Sequence, residues 1–262
     1  MTESDLSLPP VDKLHAAVAN AIKFFAASRE PYALLWLDVM HRRFGISEFA
    51  DALKRYDQVM SEQPDQAPLR AVLRRIADRD NPVQPEDWEA VSLSSDRILV
   101  SALYCDRLGL PPSFAEVLHK AAKAGGYYLT HVLLAWIWIE ENGCALTLPD
   151  GFIDDVYTAT SAIIYEDPLT LTGLRIEAAA FLYLAGQGAR VDGVFVERII
   201  VEQNDDGGWG ESSSGQGGSD WHSTIVGLLL LLHVKFIAET GETAGIGLGP
   251  TLPVSGIALH PS

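Results

Sequence analysis

Val201-Glu-Gln-Asn-Asp-Asp-Gly-Gly-Trp-Gly-Glu211 and, a few residues on, Ser219-Asp-Trp-His-Ser-Thr224 decide how this chain is read. Upstream, Val194, Ile199 and Ile200 keep an apolar helical rhythm that ends at Gln203. Residues 204–208 are a dense run of turn formers that stops that helix. Trp209 follows directly, a glycine-rich loop comes next, and 219–224 opens a further helix that continues as Val226-Gly-Leu-Leu-Leu.

Gln203, Gly207 and Trp209 fit Gln-x-x-x-Gly-x-Trp, and the turn resembles the repeat signature of terpenoid cyclases such as squalene-hopene cyclase. In such a turn the Gln amide bonds carbonyls freed at the helix end, while the indole covers the junction to the next helix. Asp220-Trp-His-Ser-Thr224 before a Leu-rich run is also similar to the last inner helix of a protein prenyltransferase β subunit. The resemblance implies a zinc-binding role for His222. Together the two cover residues 190–236, and they imply an all-α fold, an α/α toroid.

Working outward, the helical periodicity repeats along the chain. An amphipathic helix begins near Leu14, and 32–44, apolar almost all round, stops at Gly45. Ser47 caps a third helix with Phe49, Leu53, Tyr56 and Val59 inward, and 69–77 is a short fourth. Residues 78–88, with Pro82 and Pro85, read as a loop. From there apolar helices closed by glycine (95–109, 127–141, 170–184, 220–236) alternate with amphipathic ones (111–120, 149–165, 190–203). The period is about 35 to 50 residues per pair, which marks stacked supersecondary units. Sustained alternation of buried and half-exposed helices predicts a double ring of about five or six helical hairpins; a straight solenoid is the rival arrangement. One domain spans 1–262, with a polar leader 1–10 and a Gly/Pro-rich tail 241–262.

The 262 residues are 48% hydrophobic and carry 19 Lys+Arg against 35 Asp+Glu, a formal charge of −16. That is enough for one large core. It also repels phosphate backbones and anionic lipid, so nucleic acid is excluded as a partner. The acidic start Met1-Thr-Glu-Ser-Asp is unlike a signal peptide, and the chain is expected to have no membrane span and a cytoplasmic location. Two cysteines, Cys105 and Cys144, are then expected as buried free thiols.

In a toroid the central funnel is lined by the N-terminal halves of the inner helices. Those halves supply Asp96 and Arg97, Thr130 and His131, Arg175 and Glu177, and Asp220, His222, Ser223 and Thr224, flanked by Tyr127, Tyr128 and Trp221. A single helix-start histidine is commonly a satisfied structural group. His131 and His222 in one funnel with Glu177 make a common catalytic set for zinc or another divalent metal, or else acid/base groups, with Asp96 orienting a histidine. Tyr127, Tyr128, Trp221, Arg97 and Arg175 are the expected substrate-binding residues. Trp136, Trp138 and Phe181 read as core that can also wall an apolar pocket.

Departures from the family patterns are equally legible. The prenyltransferase zinc set includes an Asp-x-Cys where this chain has Arg175-Ile-Glu177, and the Asp-x-Asp-Asp of squalene-hopene type cyclases is absent. Asp205-Asp206 belong to the turn. Phe152-Ile-Asp-Asp-Val-Tyr-Thr158 is similar to the metal motif of class I terpene synthases, but Thr158 replaces its last acid and the acids open an outer helix, where the dipole favours them. The Gly-rich loop lacks the strand and Lys-Ser/Thr of a phosphate cradle. The expectation is a small enzyme acting on an apolar or isoprenoid-like molecule in the central cavity. The alternative is a non-catalytic ring that binds a small apolar ligand or a protein partner; a zinc enzyme resembling the lanthionine synthetases is weaker, since their Cys-His-Gly ligand pair is missing.

Overall fold

The computed structural model describes residues 9–62, 71–82, 91, 94–167, 169–210, 218–245 and 247. Most of the expected leader, most of the 78–88 loop, the centre of the glycine-rich loop and most of the tail lie outside them. Among the described residues all regular structure is helical, apart from one isolated bridge between Trp209 and Asp220. In chain order the α-helices are α1 (Val11–Phe24), α2 (Pro31–Phe44), α3 (Ala52–Glu62), α4 (Ser94–Leu103), α5 (Cys105–Leu108) and α6 (Phe114–Ala124). They continue as α7 (Gly126–Glu141), α8 (Phe152–Tyr165), α9 (Gly173–Leu184), α10 (Gly193–Val201) and α11 (Trp221–Thr240).

Local chemistry sets the ends of these elements. Pro31 sits in the first turn of α2, where a missing N–H costs nothing, and Glu30 accepts from the Tyr32 amide. Asp220 caps α11 by accepting from Ser223 N, and Thr172 and Asp192 do the same for α9 and α10. Gly45 and Gly241 close α2 and α11 at φ 70° and 73°, a left-handed conformation that favours glycine. The apolar stretch expected as one helix over 95–109 is broken at Tyr104, whose buried hydroxyl donates to Val72 O at 2.9 Å.

Packing separates two kinds of helix. α4 packs on α7, α7 on α9, α9 on α11 and α11 on α2, so these five form a run of neighbours. All of α9 from Gly173 to Leu184 except Leu174 is buried, as is the centre of α11 from Ser223 to Val234. Other helices pack on members of this run, α1 on α11, α3 on α2, α6 on α7, and α8 on both α7 and α9. α11 corrects one expectation, because it is long and apolar enough to cross a bilayer by length and composition. Within the bundle most of it is covered by α1, α2 and α9.

The turn that opened the sequence reading holds three helices. The Trp209 indole, 1% exposed, donates to Ile199 O at 2.8 Å, so the indole rather than the Gln amide meets a carbonyl at the end of α10. Gln203 instead donates to Gly207 O and across to Ala17 O of α1, at 2.8 and 2.9 Å. A Cβ added at Gly227 of α11 would stand 2.8 Å from the Trp209 ring, so the glycine lets the indole lie flat on the helix. Gly227→Leu is expected to destabilise the fold by about 1–3 kcal/mol in denaturant unfolding, through overpacking at that contact.

The cysteines depart from expectation. Cys105 and Cys144 are joined in a disulfide, their Cα atoms 6.0 Å apart across 39 residues of chain. Packing of α4 on α7 brings the start of α5 to the end of α7, a proximity that sequence separation hides. Disulfides persist in oxidising compartments, so these cysteines lend no support to a reducing one. Thiol titration of the denatured, unreduced protein is expected to find no free thiol. Reduction should lower stability by roughly 2–4 kcal/mol, because it releases the closed loop in the unfolded chain.

Candidate functional site

One cavity of about 350 Å3 gathers side chains from the whole run of central helices. Tyr32 and Trp36 come from α2, Asp96 and Leu99 from α4, His131, Leu134 and Trp138 from α7, Glu177 and Phe181 from α9, and Trp221, His222, Ile225 and Val226 from α11; Leu73 and Ile76 complete the wall. Most of these positions fall in the first half of their helix. The starts of three helices meet closely: a Cβ at Gly173 of α9 would lie 2.6 Å from Ser223 Oγ of α11 and 3.4 Å from the Tyr127 hydroxyl of α7.

Glu177 is the polar centre of the site. It is 1% exposed in a mostly apolar helix, and both of its oxygens are engaged. His222 Nε2 stands 2.8 Å from Oε2, and the Thr130 hydroxyl of α7 donates to Oε1. The Tyr127 and Trp221 rings present their edges or faces to the His222 ring at centroid distances of 5.8 and 5.5 Å. Burial alone would lower the His222 pKa. The hydrogen bond that His222 donates to Glu177 and the negative charges of Glu177 and Asp220 outweigh it and hold His222 above the ordinary imidazole value.

His131 is shifted in the opposite direction. Burial lowers its pKa, opposed by the negative charges of Glu177 and Asp96 and reinforced by the positive charge of His222. Its Nδ1 is buried with no hydrogen-bond partner among the described residues. Asp96 is raised by burial, with His131 pulling the other way. One cavity therefore holds a histidine that favours its proton, a histidine that gives it up, and a carboxylate whose charge is poorly solvated.

The structure brings Asp96, His131, Glu177, His222 and Trp221 together and sends other expected residues elsewhere. Arg175 does not line the cavity: its guanidinium donates to the carbonyls of Ile164, Asp167 and Thr170, pinning the α8–α9 loop. Arg97 is exposed and donates to Val91 O at 2.7 Å. Tyr127 and Tyr128 are exposed at the start of α7; Tyr127 borders His222, and Tyr128 lies off the cavity wall. Asp154 faces solvent near Arg190, and Asp206 ties Gly208 to Ser219 across the glycine-rich loop.

His131, His222 and Glu177, the expected metal set, all line the cavity, and both Glu177 oxygens serve Thr130 and His222. Among the described residues no group of three or more His, Cys, Asp or Glu side chains is arranged to hold an ion. Tyr32 and Trp36 were not among the expected site residues. Their signal was present: the four-residue spacing puts both on one face near the start of α2, as it does for Glu177 and Phe181 on α9.

Comparison with protein-family models, with curated proteins and with solved structures finds no match. The description of the site therefore rests on its own geometry.

In a histidine titration followed by NMR, His222 is expected to lose its proton above 6.5 and His131 below it. Glu177→Gln should bring His222 down toward the ordinary value. By linkage, His222 stabilises the fold at low pH and that contribution disappears as pH rises through its folded pKa. His131 has the opposite sign, withdrawing stability as pH falls below 6.5. Thr130→Val, which leaves one buried carboxylate oxygen without a donor, should cost about 1–3 kcal/mol.

Proposed function

We propose that the chain is a small α/α toroid enzyme, resembling the terpenoid cyclase and prenyltransferase superfamily, that acts on an apolar or isoprenoid-like molecule in its central cavity. The run α4, α7, α9, α11 and α2 would be the inner ring, and α1, α3, α6, α8 and α10 the outer one. Support comes from the cavity wall, which takes side chains from all five of the inner helices. A volume of about 350 Å3 falls within the ordinary range of small-ligand sites.

The observation that carries the enzymatic reading is two histidines in one cavity with contrasting surroundings: His222 is bonded to Glu177, whereas His131 is buried with a bare Nδ1, so that one proton affinity is raised and the other lowered. When neighbouring groups are pushed apart in this way, the environment has assigned an acid and a base. His222, about one third exposed, is the proton donor; Glu177 and Thr130 behind it hold the ring and its charge. His131, neutral at pH 7, is the acceptor, and Asp96 supports it. Such a pair fits proton removal at one carbon or oxygen of a bound molecule and proton delivery at another, as in an isomerisation, elimination or cyclisation. No step in this scheme is routed through a metal.

The test is to incubate the full chain with short isoprenoid alcohols and their hydrocarbon analogues, following products by chromatography and binding by thermal shift. Turnover should fall by about 100-fold or more in His222→Ala and in His131→Ala, with ligand binding retained. The rate should be bell-shaped in pH, rising through the lowered pKa of His131 and falling through the raised pKa of His222. Binding without turnover would instead identify a non-catalytic receptor, and no binding at all would remove the cavity reading.

A further inference from the structure

We propose that the ligand of this cavity carries a cationic nitrogen, seated among the aromatic walls beside the carboxylate of Asp96: an alkylated ammonium on a short apolar chain. The inference rests on the reading that the cavity is a ligand site, and it specifies the chemistry of the occupant. Tyr32 of α2 stacks with Trp221 of α11 at 6.0 Å, and Trp36 of α2 stacks with Phe181 of α9 at 6.3 Å. Trp138, also on the wall, is 1% exposed. Aromatic faces carry partial negative charge, and desolvated cations are held by them more strongly than exposed ones.

The formal charges point the same way. Glu177 is matched by His222, and His131 is disfavoured as a cation by its burial. That leaves Asp96, which has no cation within ion-pair distance among the described residues, and no Lys or Arg lines the cavity. A half-buried carboxylate without an ion-pair partner is partly stripped of water, visible in its raised pKa, and a bound cation would offset that cost. The helix starts near the cavity add positive potential, but Glu30, Thr172 and Asp220 already accept from the first-turn amides of α2, α9 and α11. The net charge of −16 favours approach of a cation over that of an anion.

Calorimetric titration of the full chain with (5-hydroxypentyl)trimethylammonium and with its neutral carbon isostere 6,6-dimethylheptan-1-ol tests this directly. The ammonium is expected to bind at least about tenfold more tightly, and Asp96→Asn and Trp221→Leu should each remove most of that preference. Equal affinity for the two probes would overturn the inference while leaving an apolar cavity site in place. Preference for the neutral probe, or an ammonium preference unchanged in both variants, would overturn it as well. Failure of both probes overturns it too, and only if the isoprenoid alcohols also fail to bind does the cavity reading fall with it. If Asp96→Asn does not fold, Trp221→Leu and the relative affinity of the two probes for the unmodified chain decide the matter.

Discussion

A carboxylate with almost no exposure, set in a mostly apolar helix, is the constraint around which this molecule is arranged. An unpartnered charge in such a place is strongly unfavourable, and removing either partner of a buried pair leaves that cost behind. Glu177 is tolerated because α7 supplies the Thr130 hydroxyl and α11 supplies the His222 imidazole. Each of those contacts works in one register only. A shift of a helix by a single turn would leave a buried oxygen bare, so the polar centre fixes the relative heights of three helices that apolar packing alone would let slide.

From that fixed register the remaining geometry follows. Gly173 allows the starts of α9 and α11 to come together, and Gly227 lets the Trp209 ring lie against α11. The Trp209 turn then joins α10 to α11 and, through Gln203, reaches α1. The cavity is what remains between helices held apart by bulky aromatic side chains at one level and drawn together by small residues and hydrogen bonds at another. The contrast between its two histidines belongs to the same arrangement: Glu177 partners His222, while His131 is buried with a bare Nδ1.

Much of this was legible in the sequence, and the failures have physical causes. Helix ends were visible because glycine, proline and capping residues are local signals: Pro31, Gly45, Asp220 and Gly241 act within a turn or two of where they stand. Asp96, His131, Glu177 and His222 could be gathered because each is a polar residue near the start of an apolar helix. The role of Thr130 could not, since a threonine in a helix announces no partner on another helix. Arg175 was misplaced because one-dimensional alignment gives a side chain no direction, and its carbonyl partners sit in the preceding loop. The Cys105–Cys144 bond depends on a tertiary contact that no spacing rule for two cysteines can show.

The seam between α11 and the pair α1 and α2 has a consequence for how the protein is made. α11 contributes Trp221, His222, Ile225 and Val226 to the cavity wall and packs against α1 and α2, which lie far upstream in the sequence. A nascent polypeptide therefore holds the apolar faces of α1 and α2 without this neighbour until residues 221–240 have been synthesised. Contacts between such distant segments slow folding and prolong the exposure of sticky surface. The order in which the sequence is read out thus leaves one side of the cavity wall open until α11 arrives.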